Sequence, residues 1–155
     1  MKIFRVAMLC LACMGWLFAA ATNKDADQTQ KMILEEFDID AKFLKSSHYA
    51  SIKNSIKDGK RKEFARTVKN GYKHIPVLQK IIKESGIPES FLYLAMTESG
   101  FSNHIVSKKK AIGIWQFMES TAKLYGLRVD KYTDERKDPV AATAAATKYL
   151  QSLKN

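Results

Sequence analysis

Cysteine is nearly absent from this 155-residue chain, and the two present, Cys10 and Cys13, both fall within the first 21 residues. Removal of those residues as a leader leaves nothing for a disulfide, a thiolate nucleophile or a cysteine metal site. Proline (3) and glycine (7) are also scarce, and no stretch alternates convincingly between apolar and polar residues. That combination argues against sheets and for helices. His48, His74 and His104 are too far apart for ligand spacing, so no metal or cofactor is expected. A nucleophile elbow, a phosphate loop and a histidine-based triad are all missing. Acidic side chains are outnumbered, 16 against 26 basic, for a formal net charge of +10. Such a balance serves solubility or attraction to an anionic polymer. Cell-wall glycans with peptide carboxylates, phospholipid surfaces and nucleic acid all fit that description.

The one long apolar run, Val6 to Phe18, follows Lys2 and Arg5 and precedes Ala19-Ala20-Ala21. This is the pattern of a cleaved export signal over residues 1–21, and it is shorter than the roughly 20 residues a membrane span needs. Cys13 after Leu11-Ala12 offers a lipidated alternative, against which the apolar stretch continuing to Ala21 counts. Export places the chain in a periplasm and argues against nucleic acid as partner. Peripheral or lipid-anchored membrane association stays open, and the sequence says nothing about oligomeric state.

Residues 22–36 read as a polar tether and residues 37–85 as a helical lead-in, with Ala41-Lys42-Phe43-Leu44 and the Tyr49, Ile52, Ile56 spacing as short amphipathic helices. A basic helix, Lys60 to Lys69, sets Phe64, Ala65 and Val68 inward. Pro76 opens a helix with Val77, Leu78, Ile81 and Ile82 as its stripe and Gly86 as its stop. Pro88 opens the next, and Asp138-Pro139 opens an alanine-rich helix from Val140 to Leu153. A shorter helix runs from Glu119 to Tyr125. Residues 86–155 form the core that carries the chemistry.

Glu98 lies seven, four and three residues beyond Phe91, Leu94 and Ala95, and is therefore expected on their apolar face. A carboxyl directed at the core or a cleft floor, away from bulk water, suits a general acid. The competing reading is a helix-end glutamate that snorkels or pairs with a lysine. Downstream, Gly113-Ile114-Trp115-Gln116-Phe117-Met118 combines aromatics, an amide and a thioether, a set that can line a sugar groove. It reads equally as core, with Gln116 satisfied by backbone. Lys108-Lys109-Lys110 is a solvated loop or a contact for substrate carboxylates, and Arg136 is placed to pair internally with a neighbouring carboxylate.

These residues, in order, resemble the lytic transglycosylase (SLT) domain, the goose-lysozyme-like family that cleaves peptidoglycan, and within it the membrane-bound lytic murein transglycosylase D type. The resemblance runs through Gly86-Ile87-Pro88, Glu98-Ser99-Gly100-Phe101, Ser107, Gly113 to Met118, Thr121-Ala122, Tyr125-Gly126-Leu127, Asp134-Glu135-Arg136, Asp138-Pro139, Ala142-Thr143 and Tyr149-Leu150. It implies an all-α, lysozyme-like domain acting on glycan strands without a cofactor. It implies Glu98 as the single catalytic acid/base, which cleaves the bond between N-acetylmuramic acid and N-acetylglucosamine and closes a 1,6-anhydro ring. Ser107, Gln116, Met118 and Tyr149 become substrate-binding residues, and Trp115 and Phe117 support the groove from behind. The sequence departs from the family at Lys109 and Lys110, where small residues are usual, and at Glu119, where proline is usual. It also stops before an Ala-Tyr-Asn-x-Gly segment, so the C-terminal helices are expected to be lacking. The alternative that follows is a truncated, non-catalytic peptidoglycan-binding protein.

Overall fold

The computed structural model describes residues 23–55 and 58–153. The expected export signal, residues 1–21, lies outside the described residues, as does Ile56. Among the described residues the architecture is all-α, with three isolated antiparallel bridges as the only β contacts. No helix among them is long and apolar enough to cross a membrane. The chain divides between Arg66 and Thr67 into two compact units.

The first unit contains α1 (Asn23–Glu36), a 3-10 turn (Ala41–Lys45), α2 (Ser47–Ser55) and the first part of α3 (Asp58–Gly71). The stretch read as a tether is therefore helical. It holds neither glycine nor proline, and polar residues such as lysine and glutamine are good helix formers. Ile33 and Leu34 near its end are buried, with Phe37, Ile39, Phe43 and Leu44 packed around them. Asp40 caps the 3-10 turn through Lys42 N at 2.7 Å, and Ser46 Oγ accepts from Tyr49 N at 3.1 Å to start α2. The Tyr49 hydroxyl donates to Gln30 Oε1 at 2.8 Å. Of the expected inner face of α3, Phe64 and Val68 are half-buried but Ala65 is exposed.

The second unit holds the end of α3 followed by α4 (Ile75–Glu84), a 3-10 turn (Glu89–Phe91), α5 (Leu92–Ser99), α6 (Glu119–Leu124), a 3-10 turn (Glu135–Lys137) and α7 (Pro139–Ser152). Pro76 stands in the first turn of α4, where its missing N–H costs nothing. Leu78 and Ile82 are fully buried; Ile81 is half-buried, while Val77, also expected in the stripe, is exposed. Gly86, at φ +73°, closes the helix in the left-handed conformation. α7 begins where Asp138 Oδ1 accepts from Val140 N at 2.8 Å and Ala141 N at 2.9 Å. Its buried face of Ala142, Thr143, Ala145, Ala146, Thr147 and Leu150 is mostly small, which lets it lie close along α4, its main helical neighbour. Gln151 Nε2 donates to Ser85 O at 2.7 Å and ties the ends of that pair together.

Candidate active site

α5 is short and follows directly on the 3-10 turn Glu89–Phe91. Its buried stripe is Leu92, Ala95, Met96 and Ser99, the i, i+3, i+4, i+7 pattern. At 3.6 residues per turn Glu98 lies about 110° from the middle of that stripe. Glu98 is exposed, so the expected core-facing carboxyl is not what forms. The register of Phe91, Leu94 and Glu98 is real, but these residues follow the flank of the helix, and Phe91 and Leu94 are only half-buried. Ser99, not Glu98, occupies the core position.

Ser99 has a definite task there. Its hydroxyl lies 3.0 Å from Ala95 O and 2.8 Å from Ile114 O. The second contact crosses 15 residues of sequence and fixes the end of α5 against the Gly113–Met118 segment. Gly100 then stops the helix at φ +59°, its N–H bonded to Met96 O at 2.8 Å. Phe101 follows with φ +60° and is buried. A left-handed non-glycine residue costs roughly 1–2 kcal/mol. Close packing holds it, since a Cβ on Gly71 would come within 2.6 Å of the Phe101 ring.

The segment from Ile105 to Phe117 folds back on itself. Val106 bridges Ile112, and Ile112 bridges Phe117. Ser107 closes the intervening turn: its N–H donates to Ala111 O at 2.9 Å, and its Oγ accepts from Ala111 N at 3.0 Å. Gln116 adopts φ +50°, and its Nε2 donates to Gly113 O at 2.9 Å and to Ile105 O at 3.4 Å. Two carbonyl partners fix which end of the amide points inward. Gly113, at φ +82°, is needed for contact as well as for conformation, because a Cβ there would overlap the carbonyl oxygen of Arg136.

Trp115 and Phe117 are buried. Trp115 Nε1 donates to Thr143 Oγ1 at 2.8 Å, and that hydroxyl lies 2.6 Å from Pro139 O. The core reading holds for these two rings, and backbone carbonyls satisfy Gln116 as that reading required. Met118 departs from it, being 44% exposed. Tyr149 is also partly exposed, its ring edge-on to Phe117 at 6.4 Å and tilted against Tyr125 at 5.3 Å.

The structure thus joins Ser107, Gln116, Met118 and Tyr149 through one folded segment and Phe117, and links Glu98 to that segment through its neighbour Ser99. An open groove of about 560 Å³ runs along part of it, lined by Val106, Lys109, Lys110, Ile112, Met118, Glu119, Ser120 and Arg136. Of the five expected site residues only Met118 lines this groove.

Arg136 is buried and forms a two-point pair with Asp134, Nε to Oδ1 and Nη2 to Oδ2, both at 2.8 Å. Its Nη1 also faces Lys110 O and Phe117 O at 3.4 Å. The hydrogen bond from Arg136 holds the Asp134 carboxyl below its ordinary range, against the opposing effect of burial. This is the internal pair expected from the charged run. Ser99 and Thr143 are site-shaping residues that sequence reasoning missed. For Ser99 the available signal was its i+7 spacing from Leu92; for Thr143 it was its place as one of two threonines, four residues apart, set among the alanines of α7.

Residues 76–155, just over half of the chain, match the transglycosylase SLT domain family, and the chain belongs to that family. Its all-α architecture accords with the family's lysozyme-like domain. Over 72 residues it is 39% identical to the membrane-bound lytic murein transglycosylase D of Escherichia coli (strain K12), covering 46% of this chain and 16% of that protein. Over 93 residues it is 32% identical to the membrane-bound lytic murein transglycosylase C of Pectobacterium atrosepticum, covering 56% of this chain and 26% of that one. The C-type protein of Yersinia pestis (strain Pestoides F) gives the same figures. The chain therefore spans about a quarter or less of the length of these relatives. No solved structure matches it.

Proposed function

We propose that this chain is an exported lytic transglycosylase that cleaves peptidoglycan glycan strands in the periplasm, with Glu98 as its single acid/base. The observation that carries the proposal is the family match across residues 76–155, within which Ser99 ties the Glu98 helix end to the Gln116 segment. In the reaction, the Glu98 carboxyl gives its proton to the oxygen linking N-acetylmuramic acid to N-acetylglucosamine as the C1–O bond breaks. The carboxylate then takes the proton of the muramoyl C6 hydroxyl as O6 bonds to C1. The carboxyl is restored, no water is consumed, and the products are a free N-acetylglucosamine hydroxyl and a 1,6-anhydro end. One carboxylate serves both steps, so the second carboxylate that activates water in inverting glycosidases has no part in it.

The exposure of Glu98 supports this reading, since a polymer can reach it without the fold opening. Gln116, whose amide nitrogen is committed to Gly113 and Ile105 carbonyls, offers Oε1 as an acceptor for sugar hydroxyl or acetamido N–H groups. Ser107, whose oxygen accepts from Ala111 N, offers its O–H as a donor. Met118 and Tyr149 supply apolar contact for sugar faces.

The test is digestion of purified sacculi by the protein and by Glu98→Gln, with mass spectrometry of what is released. Anhydro-muropeptides from the parent alone are expected. Reducing-end products would replace transglycosylation by hydrolysis. Sacculus binding with no release would mark a binding protein.

A further inference from the structure

We propose that the groove beside the folded segment binds the acidic peptide stem of a peptidoglycan strand through Lys109 and Lys110. The inference rests on the reading that the chain acts on peptidoglycan and adds a second point of recognition, off the glycan backbone.

The charges lining the groove are Lys109, Lys110, Arg136 and Glu119. Arg136 is spent on Asp134, and Glu119 pairs with Lys123 at 2.6 Å. Among the described residues Lys109 and Lys110 form no ion pair. The groove therefore presents two unmatched cations above Val106, Ile112 and Met118. A ligand suited to it carries carboxylates on a short, partly apolar body. A volume of about 560 Å³ lies within the range of roughly 300–1,000 Å³ usual for small-ligand sites.

The backbone at Lys110 adds an independent observation. Lys110 sits at φ +62°, where glycine or asparagine is easier to accommodate. Its N–H donates to Ser107 O at 2.9 Å, and its carbonyl faces Arg136 Nη1. A cation is thus held at a strained position by the turn that Ser107 closes, and strain of this kind gathers at functional sites. Stem peptides hang from the same sugars that the proposed Glu98 reaction processes, so a strand presented for cleavage carries such a ligand with it.

The experiment is an NMR titration of the purified protein with isolated peptidoglycan stem peptides, with the same peptides amidated at their carboxylates, and with phosphatidylglycerol vesicles. Binding is expected to shift Val106, Ile112 and Met118 signals and to weaken with added salt. It should fall about tenfold in the Lys109→Gln/Lys110→Gln double variant, as two partly exposed ion pairs predict, and equally with the amidated peptides. Lys110→Gly should raise the melting temperature by relieving the backbone while still weakening the peptide, which a merely structural lysine would not do. Stem peptides that fail to bind, or that bind the double variant or in amidated form as well as before, would overturn the proposal. Lysine-dependent binding to vesicles alone would assign the pair to a lipid surface. The titration involves no glycan cleavage, so its result stands apart from whether the protein cuts sacculi.

Discussion

Helices α4 and α7 are held by leucine, isoleucine and alanine side chains laid along each other, whereas the stretch from Gly100 to Met118, besides burying Phe101, Ile114, Trp115 and Phe117, depends on hydrogen bonds from side chains to backbone carbonyls. The first arrangement spreads its stabilisation over many small contacts, each worth little alone. The second concentrates it in a few polar groups, and a buried carbonyl that loses its donor costs about 1–3 kcal/mol. The difference teaches where the molecule is vulnerable. The helical pair tolerates local damage, while the stretch next to the candidate acid depends on a handful of individual atoms.

The sharpest way to break the comparison is Gly113→Ala. Overlap with the Arg136 carbonyl and a left-handed alanine together should cost about 4 kcal/mol, read as a large drop in the urea or thermal midpoint. A loss below about 1 kcal/mol would show that the segment yields easily. Asp134→Ala comes next, at about 3 kcal/mol, because it leaves the Arg136 guanidinium buried and unpaired. The pH dependence has a definite sign. The Asp134 carboxyl titrates below its ordinary value in the fold, so its contribution is complete above about pH 3.9. That contribution is lost as pH falls through the depressed folded value. Asp134→Asn should remove that part of the acid transition.

Ser99→Ala should cost about 2 kcal/mol through the stranded Ile114 carbonyl. It should also lower sacculus digestion at temperatures where far-UV circular dichroism still reports full helix content. If digestion and helicity were lost together, the segment would not be separable from the helices. On the helical side, Asp138→Ala removes an N-cap bonded to two N–H groups and should cost about 1 kcal/mol. A cap that proved dearer than Ser99 would invert the comparison.

The same division governs what could be read before the structure. Pro76, Gly86, Asp138 and Pro139 mark helix ends through local backbone chemistry, and those signals placed α4 and α7 to within a residue or so. The Arg136 pair was also legible, because its partner lies two residues away. Asn23–Glu36 reads as a tether on its polar composition, yet it holds no helix breaker and forms a helix. Glu98 falls on the flank of α5 because the helix carries two apolar spacings, and the one that packs inward is Leu92, Ala95, Met96 and Ser99 rather than Phe91, Leu94 and Ala95. The contacts from Ser99 to Ile114 and from Trp115 to Thr143 span 15 and 28 residues. No periodic pattern encodes a single hydrogen bond at such separation.

The placement of Glu98 and Ser99 on different sides of one helix puts adjacent positions under opposite constraints. Folding has no hold on residue 98, which any polar side chain could fill without disturbing the core, yet it holds residue 99 tightly. A saturation library selected only for soluble expression would come back diverse at 98 and nearly uniform at 99, while one selected for wall digestion would be narrow at both. The gap between the two selections at position 98 is a direct measure of chemistry, uncontaminated by stability.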